Sequence, residues 1–515
     1  MDESKLEHSA QQRSGWAAVA GVGVALGLTE LFAALSTSIP SAISAIGSVV
    51  IDLSPSWLKN FAISAFGTAD KAVLAISIVG VALVIGWFTG KASARRPLPI
   101  FVAFAGAAVV GIAAQLAQEG ASTSAVIAST VFAMGAGLGT WYGIVVWSAP
   151  TEREIADGDP ISLSRRRFVM GVAAAGTVSV VTIGVGRARL RSRAEAQRAS
   201  LELATPVESQ PDPDASNDFD LAGLTPIVIG NATFYRIDTA LVVPTVDPDN
   251  WSLKITGMVD REVEFTYDEL SSMPLIERYV TLSCVSNEVG DRLVGNALWT
   301  GVHLKDLLDE AGVRSGADQI VGRSVDGWTA GFPTEMAYDG RDALLAIGMN
   351  REVLPANHGF PARLVIPGLY GYVSATKWLS EIELTTWDAF DGYWIPRNWS
   401  KEGPIKTQSR IDRPRSRETV DAGTFTAAGV AWAPTKGIAA VEVQVDNGSW
   451  QIAELSKPLS GDAWVQWKAD IDLSAGDHQI RVRATDGTGF TQSEIEVPPA
   501  PNGAEGWHTI NMSAA

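Results

Sequence analysis

The sequence predicts a multidomain protein with an N-terminal α-helical transmembrane bundle, a central α+β domain and a C-terminal all-β domain. Three observations support this prediction. Long apolar segments precede residue 190, the remainder is strongly acidic, and short β-branched runs alternate there with turns. Residues 1–200 contain 16 Lys and Arg against 12 Asp and Glu, whereas the rest contains 24 against 45. Such acidity argues against a nucleic-acid partner and favours a water-facing enzyme or binding module.

Five apolar segments in the first part are long enough to cross a membrane, since about 20 apolar residues span the hydrocarbon layer. These segments lie at 16–36, 71–90, 98–117, 123–148 and 168–186. The stretch 41–66 contains Asp52, Pro55 and Lys59, so we predict an interfacial or re-entrant piece there rather than a sixth span. Residues 1–190 are therefore predicted to be a transmembrane region with about five spans.

Basic residues predict the orientation of these spans. Three clusters lie outside the apolar segments: Lys5 with Arg13, Lys91 with Arg95 and Arg96, and Arg165 to Arg167. With five spans all three lie on one side, which the positive-inside rule makes the cytoplasm. The arginine run at 187–198 then lies on the unexpected side. We predict a multi-pass protein of the bacterial plasma membrane with its later domains on the extracytoplasmic side.

Two segments connect the membrane part to the rest of the chain. SRRRFVMG at 164–171 precedes an apolar stretch and is similar to a twin-arginine (Tat) export signal placed internally. That pathway carries folded, cofactor-loaded proteins, although an arginine pair before a span also occurs as a plain membrane anchor. Residues 191–225 are rich in Pro, Asp and Ser without periodicity, and we predict a flexible linker there.

From residue 226 onward strands and short helices mix without strict βαβ alternation, which indicates an α+β domain. TGVHLKDLLDEAGV is a helix candidate and ARLVIPG a strand candidate. GxGxxG, GxxxxGK[ST], HExxH and GxSxG do not occur in a supporting context, which disfavours dinucleotide, P-loop, zinc-protease and α/β-hydrolase chemistry. One cysteine in 515 residues excludes an intrachain disulfide and a cysteine-rich metal site.

Four segments in order resemble the sulfite oxidase family of molybdopterin-dependent oxidoreductases. They are FYRIDTALVVP (234–244), RYVTLSCVSNEVGDRLVGNALWTGVHLKDLL (278–308), HGFPARLVIPGLYGYVSATKWLSEIEL (358–384), and KTQSRIDRP with the runs that follow it. The resemblance implies a molybdopterin-binding catalytic domain at 226–400, an immunoglobulin-like dimerisation domain at 401–497 and a tail at 498–515. The alternating strands VEVQV and QIRVRA fit such an all-β sandwich.

The resemblance makes Cys284 the single protein ligand of molybdenum. A thiolate is a soft ligand that suits a transition metal, and Cys284 follows a predicted strand from which it can reach a pocket. Without its neighbours a lone cysteine would be a small buried hydrophobe. The family's pocket positions match Arg236, Trp299 and Trp328. Its cofactor-binding positions match Tyr235, Arg236, Ser324, His358, Arg363, Ser374 and Lys377. Cations and hydroxyls suit the pterin's phosphate.

The implied function is a membrane-anchored, extracytoplasmic oxidoreductase that transfers an oxygen atom with a two-electron change at molybdenum. Sulfite oxidases carry an arginine shortly after the ligand cysteine, whereas this chain has Glu288 there, and a carboxylate would repel an anion. Arg292 is a candidate replacement for the missing cation. Both a small oxo-anion and a sulfoxide-type compound therefore stay open as substrates. The alternatives are a methionine-sulfoxide or other S- or N-oxide reductase on the same fold, and a non-catalytic receptor or scaffold. A transporter is disfavoured because Glu30 is the only acid embedded in the spans.

The partners follow from the histidines and the single cysteine. The five histidines are His8, His303, His358, His478 and His508, and none lies in a predicted span. Haem needs axial ligands or CxxCH, and iron–sulfur clusters need several cysteines, so we expect neither group. Electrons would then pass through a separate partner, a cytochrome or a quinone-linked protein. The resemblance also implies a homodimer through the C-terminal domain.

Overall fold

The structure is a computed structural model that describes residues 3–36, 38–55, 58, 61, 65–66, 70–118, 121–149, 160–240 and 243–515. It divides into two compact units, Met1–Gln197 with Thr239–Asp247, and Arg198–Asp238 with Pro248–Ala515. Parts of two predicted segments, including Lys59 in the stretch 41–66 and Leu241 and Val242 in the segment 234–244, lie outside the described residues.

The first unit is helical. Its helices are α1 (Glu3–Leu35), α2 (Ala42–Leu53), α3 (Asp70–Ala92), α4 (Leu98–Leu116), α5 (Thr123–Trp147) and α6 (Pro160–Ala199). Over the described residues, all of these except α2 are long and apolar enough to cross a membrane, which makes five candidate spans at the predicted positions. Helix α2 has 12 residues and is too short to span a membrane, and the interfacial or re-entrant placement of 41–66 stays a prediction.

Helix α1 packs against α3 and α5 through small residues. A Cβ atom added to Gly137 of α5 would lie 2.7 Å from the Gly21 carbonyl oxygen of α1, so only glycine allows the two backbones to approach this closely. Such close packing is a main source of helix association in a membrane. The embedded acid Glu30 is buried and accepts hydrogen bonds from Ser41 Oγ at 2.8 Å and Ile43 N at 3.3 Å. Glu30 therefore satisfies the N-terminus of α2.

The second unit begins with a central region of mixed sheets and short helices. Its strands are β1 (Ser252–Gly257), β2 (Val263–Thr266), β3 (Ile276–Ser283), β4 (Val294–His303), β5 (Gln319–Ser324), β6 (Thr329–Pro333), β7 (Leu344–Met349), β8 (Glu352–Val353), β9 (Arg363–Val365) and β10 (Leu379–Thr385). Its helices are α7 (Tyr267–Ser272), α8 (Leu304–Ala311) and α9 (Gly371–Ser374), with 3₁₀ turns at Pro248–Asn250, Thr334–Ala337, Ala356–His358 and Ile395–Arg397.

These strands form two sheets. One has the order β2-β1-β10-β5-β6 and the other β3-β4-β7-β8, with β9 also paired to β7. Only the β1–β10 pair is parallel within them. The predicted helix TGVHLKDLLDEAGV is α8, which buries Leu304, Leu307 and Leu308 at helical spacing and ends at Gly312 with φ +73°. The preceding residues Val302 and His303 belong instead to β4.

The C-terminal region is rich in β-strands. They are β11 (Gln408–Arg413), β12 (Thr419–Val420), β13 (Gly423–Trp432), β14 (Ile438–Val445), β15 (Gln451–Ile452), β16 (Glu454–Leu455), β17 (Val465–Leu473), β18 (Gly476–Asp486) and β19 (His508–Ala514). Two sheets have the orders β11-β13-β17-β16 and β12-β19-β18-β14-β15. Alternate residues of β17 and β18, such as Trp467, Ile480 and Val482, are buried in a shared hydrophobic core.

The predicted tail at 498–515 is wrong in its last part. Residues His508–Ala514 form β19, which pairs antiparallel with β18 from Val482 opposite His508 to Gly476 opposite Ala514. Ile510 and Met512 alternate with exposed residues and are buried in the core of the C-terminal region. The segment is short and follows several prolines and glycines, so its alternation is a weak signal without its partner strand.

The flexible linker predicted at 191–225 is also wrong. Helix α6 continues to Ala199, and the segment after it belongs to the second unit and is hydrogen-bonded within it. Val207 N–H donates to the Leu275 carbonyl at 2.8 Å, and Gln210 N–H donates to the Glu277 carboxylate at 2.8 Å. Polar composition predicted disorder, but these polar groups find partners from distant parts of the chain, and no local pattern reveals such partners.

Candidate functional site

Cys284 directly follows β3, a strand in which seven of the eight residues are buried. Its N–H donates to the Leu293 carbonyl at 2.9 Å, and its carbonyl accepts from Asn287 N at 3.1 Å. The Asn287 side chain in turn accepts from Leu293 N at 2.7 Å. We call residues 284–293 the cysteine loop. The free thiol is 9% exposed, and its burial raises the pKa of Cys284. A thiolate here is favoured once a metal cation supplies compensating charge.

Three aromatic residues form a connected cluster, and one of them, Tyr235, interacts with the cysteine. Trp299 on β4 is fully buried and donates its indole N–H to the Val280 carbonyl at 3.2 Å. Phe234 meets Trp299 edge-on at 5.8 Å between ring centroids and stacks on Tyr235 at 5.2 Å. Burial and then the Cys284 charge raise the pKa of Tyr235, while Arg363 lowers it, so the Tyr235 hydroxyl lies near both groups. That hydroxyl stays protonated and is available as a hydrogen-bond donor.

Arg363 begins β9 and is 5% exposed. Its guanidinium lies 4.9 Å from the Trp299 ring centroid and donates to the carbonyls of His358 at 3.2 Å and Leu364 at 3.4 Å. No ion pair joins Arg363 to a carboxylate of the described chain, and burial lowers its pKa to about 10. A buried cation without an acid is unfavourable unless an anion binds it. The site therefore fits an anionic group, such as the phosphate of a pterin.

A second cationic cluster surrounds Asp238, whose side chain is 3% exposed. Its carboxylate accepts from Lys377 Nζ at 2.9 Å and from Arg236 Nε at 2.6 Å. Lys377 also donates to the Ile237 carbonyl at 3.1 Å. Burial lowers the pKa of Lys377 to about 8, and the charge of Asp238 opposes this effect. Asp238 was not predicted from the sequence, although it stands two residues after Arg236 in the segment 234–244.

His358 connects the two cationic groups. Its Nε2 lies 2.7 Å from the Asn231 carbonyl oxygen, which assigns the proton to Nε2. Burial lowers the pKa of His358 to about 4, so the ring is neutral at pH 7 and Nδ1 is an acceptor. Gly359 follows at φ +113°, where an added Cβ would lie 3.0 Å from Lys377 Cβ and 3.1 Å from Arg363 Cβ. Glycine here allows both cationic side chains to approach the same turn.

The structure gives the other predicted residues different environments. Ser324 ends β5, and its hydroxyl accepts a long 3.4 Å hydrogen bond from Asp326 N. Asp326 lies near the Lys377–Asp238 pair, and burial raises its pKa. Ser374 is fully buried and donates to the Tyr370 carbonyl at 3.1 Å, so this hydroxyl proton is already used inside α9. Trp328 is half-buried, and its carbonyl closes the turn by accepting from Ser324 N at 2.9 Å.

Two further residues of the cysteine loop face solvent. Glu288 and Arg292 are both exposed, so Glu288 does not oppose an anion inside the site. Within the described part of the chain, no three His, Cys, Asp or Glu side chains converge as a metal-binding group. The donor set around Cys284 thus consists of one soft ligand with nearby cations and hydroxyls. This set suits a metal that is carried mostly by an anionic organic cofactor.

Comparisons with known proteins agree with this chemistry. Residues 240–394 match the model of the oxidoreductase molybdopterin binding domain, and residues 401–510 match that of the Mo-co oxidoreductase dimerisation domain. Mitochondrial sulfite oxidase of Homo sapiens is 27% identical over 327 residues, which cover 53% of this chain and 59% of that protein. An NADH nitrate reductase of Brassica napus is 29% identical over 318 residues, covering 49% and 35%.

A solved structure is also similar. The sulfane dehydrogenase SoxCD from Paracoccus pantotrophus aligns at a TM-score of 0.49 and 23% identity, covering 55% of this chain and 80% of that one. The chain spans less than two thirds of the length of the curated relatives it matches. The two matched domains follow one another in this chain, and the first contains Cys284, Arg363 and Lys377, so the molybdenum cofactor is the group that this family implies. The chain belongs to the sulfite oxidase family of molybdopterin-dependent oxidoreductases.

Proposed function

We propose that this chain is a membrane-anchored molybdenum-cofactor oxidoreductase that exchanges an oxygen atom with a small oxo-compound, with Cys284 as the protein ligand of the metal. The observation that carries this proposal is a single buried cysteine and a buried arginine, Arg363, whose charges both act on the hydroxyl of Tyr235. Arg363 has no acidic partner in the described chain. When bound, the cofactor would supply a molybdenum centre that gains two electrons when it gives up an oxygen atom and loses two when it accepts one.

The chain's own residues bind and orient that cofactor. Arg363 uses two hydrogen bonds to backbone carbonyls, so other N–H groups of its guanidinium remain available to bind an anion. Lys377 and Arg236 can turn from Asp238 toward a phosphate, with Ser324 and neutral His358 near them. Arginine and lysine serve this purpose because charge-assisted hydrogen bonds to phosphate are strong. Ser374 supports this binding by fixing α9, which precedes Lys377 in the chain.

The residues nearest the metal would govern the reacting oxygen. Tyr235 keeps its proton at neutral pH and can donate a hydrogen bond to an oxygen close to Cys284. Trp299 and Phe234 are buried and meet edge-on, and this apolar pair beside Tyr235 would help to exclude water from the site. Trp328 would line the substrate side at the turn that follows β5. These roles assign binding and orientation to the protein and redox change to the cofactor.

The substrate proposal depends on charge. Asp238 pairs with Arg236 and with Lys377, whose charge acts on Cys284, so both cations are partly neutralised. Arg292 is exposed on the cysteine loop and would supply a positive charge to an oxo-anion. A small oxo-anion is the first candidate, and a sulfoxide or N-oxide is the second because Asp238 weakens the positive field. The alternative of a receptor without catalysis is disfavoured by the presence of Cys284 together with the buried Arg363, which has no acidic partner in the described part of the chain.

We further propose the location and partners of the chain. The five apolar helices would form a transmembrane bundle, and SRRRFVMG would direct export, so the second unit would face the extracytoplasmic side. The C-terminal sheets would pack as an immunoglobulin-like sandwich that pairs two copies of the chain, as the name of the matched dimerisation domain suggests. A separate cytochrome or quinone-linked protein would exchange single electrons with the cofactor.

The decisive experiment is metal analysis of the full-length chain and of Cys284→Ala. We expect about one molybdenum per chain in the natural protein. The alanine variant should keep the pterin, which the cationic residues hold, but should lose oxygen-atom transfer to a panel of sulfur and nitrogen oxo-compounds. A fully active Cys284→Ala variant would overturn the assignment. A natural chain that binds neither molybdenum nor pterin would instead support the receptor alternative.

A further inference from the structure

Cys284 directly follows β3, which is an edge strand because β4 is its only neighbour in the sheet order. Its other edge is covered partly by the C-terminal region. Thr281 N donates to the Asp462 carbonyl at 3.0 Å, and Trp464 N donates to Thr281 Oγ1 at 2.8 Å. Ser460 Oγ donates to the Tyr279 carbonyl at 2.7 Å. The segment before β17 thus satisfies polar groups that an uncovered edge would expose.

The cysteine loop itself is held by Arg410 of β11, which is 4% exposed. Arg410 Nη1 donates to the Asp291 carbonyl at 3.0 Å. Its Nε pairs with Asp412 Oδ1 at 2.7 Å, and its Nη2 donates to Thr225 Oγ1 at 2.9 Å. The guanidinium is therefore fixed on three sides, and the loop carbonyl is one of them. A buried charge with several directed hydrogen bonds defines a single geometry.

His508 of β19 contacts the same loop from a second side. A Cβ added to Gly290 would overlap the His508 ring at Cδ2, and Gly290 has φ +82°. The ring is oriented because Ile411 N donates to its Nδ1 at 2.9 Å. Glycine at position 290 therefore allows the loop to lie directly on a ring that the C-terminal region holds in place.

We infer that Arg410 and His508 are positioning residues for the metal ligand, and that the C-terminal region is part of the metal-binding apparatus in addition to any role in pairing two chains. Both residues act through the cysteine loop: Arg410 holds Asp291, His508 supports Gly290, and the loop's internal hydrogen bonds carry this constraint to Cys284. The inference rests on the proposed role of Cys284 as the metal ligand. It predicts that loosening either contact exposes the thiol while the folds of both regions persist.

Cys284 is the only cysteine in the chain, so a thiol reagent reports on the cysteine loop alone. The test compares the rate of maleimide labelling of the full-length, cofactor-free chain in detergent with that of Arg410→Gln and His508→Ala. We expect labelling to accelerate about tenfold or more in each variant, because a directed contact to the loop is lost. Arg410→Lys should restore part of the protection, because it keeps the charge but offers fewer directed donors.

Matched controls come from the same region of the chain. Arg481 on β18 bonds to Gln479, and His478 bonds to Asp446 and the Ser474 carbonyl, so Arg481→Gln and His478→Ala remove similar groups away from the loop. Neither control should accelerate labelling. Equal rates in Arg410→Gln, His508→Ala and the natural chain would overturn the inference. Equal acceleration in all four variants would also overturn it, because it would indicate general loosening of the C-terminal region.

The readout is independent of turnover, so it separates this inference from the proposed function. A natural chain without molybdenum, whose thiol is nevertheless protected by Arg410 and His508, would refute the metal function and leave the loop contact in place. In cofactor-loaded protein the same two variants should lose molybdenum faster than the controls during dialysis against a chelator. Loss at the control rate would overturn the positioning role.

Discussion

Replacing Arg363 by methionine removes a buried positive charge and keeps an unbranched apolar side chain in its place. Burial lowers the pKa of Arg363 to about 10, well below the ordinary value of arginine. At about 1.4 kcal/mol per pKa unit, this gap means that the charge costs the folded state about 3 kcal/mol. The sign follows because a lowered pKa for a cation disfavours its charged form. At pH 7 Arg363 is charged in both the folded and the unfolded protein, so the full cost of burying its charge lowers the free energy of unfolding.

The lost hydrogen bonds offset part of this gain. Arg363 donates to the carbonyls of His358 and Leu364 at 3.2 and 3.4 Å, and leaving them unpaired costs about 1–2 kcal/mol. We therefore expect cofactor-free Arg363→Met to be more stable than the natural chain by about 1–2 kcal/mol. The same variant should lose most of its pterin, because we propose that the Arg363 guanidinium, which has no acidic partner among the described residues, binds the anionic group of the cofactor.

Urea unfolding of the full-length chain in detergent, followed by hydrogen exchange of peptides from β3, β4 and β9, measures this stability. Arg323→Met is the matched control, because Arg323 is half-buried and pairs with Glu383. Its loss should lower the stability of the region by about 1 kcal/mol or less. Lower stability of cofactor-free Arg363→Met than of the natural chain would refute the reasoning, and so would an unchanged pterin content.

Two further predictions concern stability elsewhere. Burial alone would raise the pKa of Asp486, but hydrogen bonds from Thr488 and its neighbours outweigh burial and lower the pKa to about 2. The charged Asp486 carboxylate therefore stabilises the fold above pH about 4, and this stabilisation is lost as the pH falls through about 2. Asp486→Asn should lower the free energy of unfolding by about 2 kcal/mol at pH 7 and by less in acid. Urea unfolding at both pH values measures the difference. Gly137→Leu should lower the free energy of unfolding by about 1–3 kcal/mol, because the added side chain separates α5 from Gly21 of α1. Gly139→Leu is the control: no atom lies near an added Cβ there, so its melting temperature in detergent should equal that of the natural chain.

The sequence was sufficient wherever the relevant interaction is local. The five candidate spans follow from apolar length, because lipid selects for uninterrupted apolar helices whatever their neighbours are. Helix α8 follows from the spacing of its leucines and from Gly312 at its end. Cys284 stood out because it is the only cysteine and follows a strand-like run. Each of these signals lies within a short window of the chain.

Local patterns failed at both ends of the second unit. The segment after α6 has the composition of a linker, yet Val207 and Gln210 bond to the edge of β3. The last strand, His508–Ala514, is too short for its alternating pattern to predict a strand reliably. It is ordered by pairing with β18. A polar segment becomes structured when a distant edge satisfies its backbone, and composition contains no information about that edge.

The sequence by itself determined the five candidate spans, the family and the candidate ligand Cys284, because each rests on residue type and spacing. Only the tertiary structure decided which groups share the site. It paired Asp238 with Lys377 across 139 positions of the chain and left the buried Arg363 without an acidic partner in the described chain. It also brought Arg410 and His508 against the cysteine loop. The physical reason is that charge pairing and burial depend on distances in space, which chain folding sets and residue spacing does not encode.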